Sequence, residues 1–263
     1  MSVLKKSVRL CSRVVETLVF ILAFSTYSYA VEDTVELSPS TPSLMENFTQ
    51  GHIAYNAGNY KEAIDYYLKC LSEAQSVELN YNLGNSYYQN GDVGRAVLHY
   101  QKALALEPQN PEVRKNLKFV YTSVDLQNNR SGLLSRWATL CSIDTWTWLM
   151  TLGFWTSCTF ILLLWLFRLN RSPIRYFFLF TSLITVLSLV GLLGSYTVLK
   201  QGVVLNNETP LKISPTENSP QSAVLQAGVM AMVKKKHLGW FYIIGPNNKT
   251  GWLSDQDFQK IWD

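Results

Sequence analysis

Two uncharged stretches constrain this chain more than any other feature. Residues 145–167, TWTWLMTLGFWTSCTFILLLWLF, and 176–199, YFFLFTSLITVLSLVGLLGSYTVL, contain no Asp, Glu, Lys, Arg or His. Each exceeds the roughly 20 apolar residues that a helix needs to cross a bilayer core. Buried helices of a water-soluble domain are seldom uncharged over such lengths. Trp146, Trp148 and Tyr176 stand near the ends, where rings with one polar edge suit a membrane–water boundary. The intervening RLNRSPIR, residues 168–175, carries Arg168, Arg171 and Arg175 and no acid. Positive loops tend to stay in the cytoplasm, so this turn is expected inside and both flanking regions outside. Small residues, among them Ser157, Thr185, Ser188, Gly191 and Gly194, would let the two helices approach. Ion or proton transport would ordinarily need an ionisable group within a span, so the pair reads as an anchor and an assembly surface.

The spans also account for the composition, in which only 16% of residues are charged against about a quarter in ordinary soluble domains. Three of the four net positive charges fall in residues 1–30, where Lys5, Lys6, Arg9 and Arg13 oppose Glu16. With the rest nearly neutral, a nucleic-acid-binding surface is excluded. Residues 1–30 run from that basic start through VVETLVFILAF to STYSYA, with small Ser28 and Ala30 at the positions a signal peptidase reads. A signal peptide cleaved after Ala30 is expected, with an uncleaved anchor as the alternative. Such a signal exports the repeat region downstream of it, in agreement with the arginine loop. Residues 31–43 form a polar, proline-containing linker. Cys11, Cys70, Cys141 and Cys158 have neither C-x-x-C spacing nor a disulfide pattern.

From Leu44 the sequence repeats at an offset of 33: Gly51 with Gly84, Tyr55 with Tyr88, Gly58 with Gly91, Ala63 with Ala96, Tyr67 with Tyr100, Leu71 with Leu104. That period marks stacked helical hairpins. Mid-helix glycine costs about 1 kcal/mol, which close packing at Gly51 and Gly84 would offset. Ala63 and Ala96 would pack from the second helices, Gly58 and Gly91 fall in turns, and Tyr67 and Tyr100 would fill space between hairpins. Helices are expected at about 44–56, 60–73, 77–90 and 93–106. A fifth begins at Pro111, and its Val113, Leu117, Val120 and Tyr121 recur at helical spacing to cover the end of the stack. Two repeats are fewer than usually stand alone, so a cap, a partner or self-association should supply further contacts.

The copy YNLGNSYYQNGDVGRAVLHYQKALALEP resembles the tetratricopeptide repeat, including its terminating Pro108; FTQGHIAYNAGNYKEAIDYYLKCL is a weaker copy without the proline. The all-α tetratricopeptide-repeat domain is placed at 44–126, as repeats 44–76 and 77–110 and a capping helix 111–126. First helices of such pairs line a groove, which here would present His52, Tyr55, Asn56, Asn85, Tyr88 and Gln89. Amides and polar aromatics suit a peptide held by hydrogen bonds and ring contacts, although Tyr55 and Tyr88 could equally pack between helices. His52 and His99 have no cysteine or carboxylate at ligand spacing, so both are expected on the helix surface; no metal or cofactor is expected. Residues 127–144 form a juxtamembrane segment, and its GLLSRWATLCSID could lie along the membrane surface.

Residues 200–263 alternate short apolar runs with Asn, Pro, Gly and Lys clusters, the rhythm of a small all-β barrel. Gly239-Trp240 and Gly251-Trp252 bracket the turn GPNNKTG as a hairpin, and the terminal FQKIW reads as a helical turn. AGVMAMVKKKHLGWFYIIGPNNKTGWLSDQDFQKI resembles bacterial SH3-like domains. Trp240 and Trp252 are expected to close the barrel, with a ligand surface as the alternative. Lys234, Lys235 and Lys236 read as a solvated turn, or as a contact to anionic cell wall or lipid head groups.

The fold class is thus a multidomain membrane protein: all-α repeats, two transmembrane helices at 145–167 and 176–199, and a small all-β SH3-like barrel. That order, with YNLGNSYYQNGDVGRAVLHYQKALALEPQNPEVRKNL and GWFYIIGPNNKTGWLSDQDF, resembles the BatE-type proteins of the bacterial aerotolerance operon. The resemblance implies a membrane-anchored scaffold in the cytoplasmic membrane, with its repeats and barrel on the periplasmic or extracytoplasmic side. It also implies partners among von Willebrand A-type membrane proteins and an associated MoxR-type ATPase, in cell-envelope integrity or stress tolerance. A phosphate loop, G-x-S-x-G and HExxH are all missing from the sequence, so binding is expected rather than catalysis. The alternative is cell-wall binding, to peptidoglycan, or envelope sensing through the SH3-like domain.

Overall fold

The computed structural model describes residues 42–126, 137–167 and 172–262. The expected signal segment, most of the linker, and parts of the juxtamembrane segment and arginine loop lie outside them. Residues Asn47–Asp263 form one compact unit.

Five helices come first: α1 Pro42–Asn56, α2 Tyr60–Glu73, α3 Val77–Gln89, α4 Val93–Leu106 and α5 Pro111–Ser123. Their starts are written locally. Ser76 Oγ accepts from Leu79 N at 3.1 Å, Asp92 Oδ1 from Arg95 N at 3.0 Å, and Asn110 Oδ1 from Val113 N at 3.1 Å. Each satisfies a backbone donor that a helix start leaves open. Gly58 and Gly91 turn the chain at φ +80° and +84°, a backbone region costly for other residues.

Gly51 and Gly84 face Tyr67 and Tyr100 of their own hairpins: a Cβ would lie 2.6 and 2.7 Å from those rings. The tyrosines therefore fill a notch inside each hairpin, where the sequence suggested the space between hairpins. Ala63 and Ala96 are fully buried, and Val113, Leu117, Val120 and Tyr121 of α5 are buried against the stack. Tyr67, buried beneath α1, has its hydroxyl pKa pushed up to about 12 by loss of solvent.

His99 is not on the surface as expected; it is 5% exposed. Its Nδ1 lies 3.0 Å from Asn80 Oδ1 and its ring stacks on Tyr87 with centroids 5.3 Å apart. Asn80 Nδ2 donates to the Ser76 carbonyl at 3.0 Å, which turns Oδ1 toward the imidazole and makes Nδ1 the protonated nitrogen. Burial holds the imidazole pKa down at about 3. The physical reason is that α4 is covered on both sides, by α3 and by the β region.

α6 (Ile143–Phe167) and α7 (Ser172–Leu199) are long and apolar enough to cross a membrane. They pack antiparallel through small groups: Gly191 against Trp146, Gly153 against Thr185, and Ser157 Oγ donating to Thr181 Oγ1 at 3.1 Å. Trp146 is therefore a buried packing residue, its Nε1 donating to the Ala138 carbonyl at 3.1 Å, while Trp148 and Tyr176 are exposed. Thr151, Thr156, Thr159, Thr185, Ser188 and Ser195 each donate to the carbonyl four residues earlier, so their hydroxyls are satisfied within the helix.

Seven strands complete the chain: β1 Gln201–Val204, β2 Thr209–Lys212, β3 Gln221–Leu225, β4 Met230–His237, β5 Trp240–Ile244, β6 Thr250–Ser254 and β7 Phe258–Lys260. Neighbours pair antiparallel in the order β3-β2-β6-β5-β4-β1-β7, an open sheet with ends at β3 and β7, not the closed ring of pairs a barrel requires. One face buries Val204, Leu211, Leu225, Val233, Phe241, Ile243, Leu253 and Phe258 together. The expected helical turn at FQKIW is instead β7: Phe258 and Ile261 are buried, and Gly202 pairs with Lys260, which covers an otherwise open edge of β1.

The sheet region docks on α4. A Cβ on Gly94 would stand 2.0 Å from the Leu205 carbonyl oxygen, and one on Gly228 3.2 Å from Val97. Gln101 Nε2 reaches Met230 Sδ at 3.1 Å and Tyr121 Oη at 3.2 Å. The two repeats are therefore covered at one end by α5 and along α4 by the sheet, which supplies contacts that a third repeat would otherwise give.

Candidate functional site

The first helices of the hairpins and the closing helix α5 enclose a groove of about 300 Å³ lined by Tyr55, Tyr81, Asn85, Tyr88, Gln89, Tyr100, Asn116, Phe119 and Val120. None of these side chains is charged. Helical spacing explains the set: 81, 85 and 88 share one face of α3, and 116, 119 and 120 share one face of α5.

Asn85 organises the floor. Its Oδ1 accepts from Tyr100 Oη at 2.6 Å and from Asn116 Nδ2 at 2.9 Å, and Asn116 Nδ2 also approaches Tyr81 Oη at 3.1 Å. With the carbonyl end engaged, the Nδ2 hydrogens of Asn85 remain as donors for a ligand. Burial raises the hydroxyl pKa of Tyr100 and, chiefly for the same reason, that of Tyr55. Both therefore stay protonated near neutral pH. Gln89 hydrogen-bonds the Tyr55 hydroxyl and opposes part of that rise. At the rim, Tyr88 Oη donates to Ser123 Oγ at 3.3 Å and its ring meets Phe119 edge-on at 5.7 Å. Phe119 is 60% exposed, its ring open to solvent at the groove rim.

Of the six residues expected in the groove, Tyr55, Asn85, Tyr88 and Gln89 line it. His52 and Asn56 do not. His52 packs edge-on against Phe48 and Tyr67, with Asn82 Nδ2 3.5 Å from its Nε2, and Asn56 is exposed outside the groove. Tyr81, Tyr100, Asn116, Phe119 and Val120 were not foreseen. Tyr81 was legible, since it stands four residues before Asn85 and seven before Tyr88.

In the sheet region, Trp240 and Trp252 lie outside the buried face. Trp252 pairs with Tyr242 on β5 and Lys212 on β2 and is covered by Tyr242, 5.2 Å between rings, and by Lys235 Nζ at 5.1 Å. Trp240 is half-buried with Lys212 Nζ 5.1 Å above it. They do not close a barrel; Trp252 is a packing residue, 8% exposed, on the opposite face of the sheet, and Trp240 is half-buried on the same sheet.

Residues 48–111 match the tetratricopeptide repeat family. Repeats of this family act as protein-interaction scaffolds, which agrees with an uncharged groove of amides and phenol rings. The photosystem I assembly protein Ycf3 of Prochlorococcus marinus strain NATL2A is 35% identical over 89 residues, 32% of this chain and 51% of that protein. Ycf3 of P. marinus strain MED4 is 29% identical over 103 residues, 38% of this chain and 60% of that protein. Ycf3 of Synechococcus sp. CC9605 is 30% identical over 107 residues, 38% of this chain and 61% of that protein. The chain spans about half the length of the first of these relatives.

Proposed function

We propose that this protein is a non-enzymatic, membrane-anchored scaffold that holds an extended segment of a partner protein in the repeat groove. The observation that carries the reading is Asn85: its carbonyl is locked by Tyr100 and Asn116, so its amide is preorganised to donate to a peptide backbone. Tyr88 and Phe119 would flank the peptide as ring contacts. An uncharged lining favours main chain over a terminal carboxylate, which needs basic side chains.

Membrane anchoring by α6 and α7 is supported by their surface. Only 11% and 22% of the two apolar windows are buried, where a soluble core helix would be mostly buried. The arginine loop favours a cytoplasmic turn, hence extracytoplasmic repeats and sheet. The resemblance to BatE-type proteins, including an SH3-like C-terminal domain, extends this to partners with von Willebrand A domains and a MoxR-type ATPase in a cell-envelope assembly. Purification of the full chain from detergent extracts tests the reading. Tyr88→Ala and Phe119→Ala should abolish partner recovery while leaving helix content and melting temperature near those of the parent chain. Unchanged recovery would refute it.

A further inference from the structure

We propose that the β4–β5 hairpin docks on the bilayer surface beside α7, with Lys234, Lys235 and Lys236 holding anionic phospholipid head groups and Leu238 lowered into the interface. This rests on the reading of α6 and α7 as membrane spans.

The direction of the hairpin is set by contacts along α4. Near its start Gly94 meets Leu205; one turn on, Val97 meets Gly228; then Gln101 meets Met230. At its far end Leu104, Ala105 and Pro108 share a cleft with Ser195 and Val198. The chain thus leaves α7 at Val198, where the apolar span ends, and β1 climbs along α4 away from that level. β4 is antiparallel to β1 and descends: Val203 pairs with Met230, Gln201 with Met232, and Val233 N donates to the Lys200 carbonyl at 2.8 Å. Four more residues, Lys234 to His237, continue past Lys200 before the turn. A β-bulge at Lys234, where Val233 pairs with Ile243 and Lys235 with Tyr242, takes up one of the four, so at about 3.3 Å per residue the hairpin extends roughly 10 Å past that level. Lys200, at the end of the span, is itself exposed, its Nζ 4.3 Å from the Tyr196 ring.

The turn is built against ordinary preference. His237 pairs with Trp240 across a two-residue loop, Leu238 and Gly239, with φ +42° and +79°. Such loops favour Asn, Asp or Gly at the first position. Leucine there pays in backbone strain and, at 85% exposed, gains nothing from the fold. An apolar tip below three exposed lysines is the arrangement of an interfacial membrane contact. The ammonium groups of two of them sit over rings at the base of the hairpin, Lys235 Nζ 5.3 Å from Tyr242 and Lys236 Nζ 4.9 Å from Phe241. Among the described residues none of the three pairs with a carboxylate. Asp255, whose N–H donates to the Gly239 carbonyl at 2.9 Å, is the acidic neighbour of the tip, one charge against three.

The test uses the full chain reconstituted in vesicles, with an environment-sensitive fluorescent amino acid replacing Leu238 or, as a reference for the span, the exposed Ile161. Bromine-bearing lipids quench probes that reach the membrane. In phosphatidylcholine containing roughly one third phosphatidylglycerol, both positions should be quenched. In phosphatidylcholine alone, or with Lys234→Gln, Lys235→Gln and Lys236→Gln combined, quenching at 238 should be lost while that at 161 persists. Each lysine near an anionic surface biases docking roughly fivefold, so losing three weakens it on the order of a hundredfold. Quenching at 161 but not at 238 in the anionic vesicles overturns the docking, as does quenching at 238 that ignores lipid charge and the lysines. No quenching at 161 overturns the spans and the docking with them. A shift at 238 caused by soluble peptidoglycan fragments, with none caused by lipid, assigns the hairpin to the cell wall instead.

Discussion

Gly84 and Tyr100 are fitted to one another: a Cβ at position 84 would stand 2.7 Å from both Cδ1 and Cε1 of the tyrosine ring. The same ring carries the hydroxyl that fixes Asn85 in the groove. Packing of the second repeat and the orientation of Asn85 in the groove therefore depend on one side chain.

Gly84→Ala should destabilise the repeats. Overpacking costs about 1–3 kcal/mol, which outweighs the roughly 1 kcal/mol that alanine gains over glycine in a helix. Tyr100→Phe keeps the ring and removes only the hydrogen bond, so it should cost about 1 kcal/mol yet weaken partner binding by freeing Asn85. Thermal melts followed by circular dichroism, together with partner recovery, separate the two effects.

His99 should make stability pH-dependent. Its folded pKa of about 3 lies below the unfolded value of about 6.5, so between these limits the unfolded chain binds the extra proton. Stability from this group is full above pH 6.5, falls as pH drops toward 3, and then levels. The slope approaches about 1.4 kcal/mol per pH unit within that window. Melting temperature measured from pH 7.5 to 4 should fall more steeply for the parent than for His99→Gln; parallel curves would contradict the buried neutral imidazole.

Gly94→Val should separate the sheet region from α4. The added side chain would meet the Leu205 backbone, which has no flexible end to move aside. Hydrogen exchange at Leu205, Gly228 and Met230 should accelerate, while Leu117 and Val120 beside the groove keep their protection.

Much of the helical region was legible because its signals are local and repeated. The 33-residue offset marked Gly51, Gly84, Tyr67 and Tyr100, and α2 and α4 occupy Tyr60–Glu73 and Val93–Leu106 where the periodicity placed them. The groove was half legible. Tyr55, Asn85, Tyr88 and Gln89 come from the repeats, but Asn116 and Phe119 depend on how α5 closes the stack, a tertiary fact. Docking of the sheet left a trace in the places where the copies differ. Lys61 and Asp65 of the first repeat are exposed, and their counterparts Gly94 and Leu98 in the second are buried beneath the sheet. FQKIW reads as a helical turn because five residues carry too little periodicity to separate a turn from an edge strand; pairing of Phe258–Lys260 with the open edge of β1 decides it.

Protein binding in the groove is the central claim, and site-specific photocrosslinking in intact cells tests it most directly. A photoreactive phenylalanine analogue replacing Tyr88 or Phe119 should capture a membrane protein bearing a von Willebrand A domain. The same analogue replacing Lys61, exposed on α2 and outside the groove, should not. If positions 88 and 119 give no protein adduct, or only the adducts seen at 61, the groove does not bind a partner and the scaffold reading is wrong.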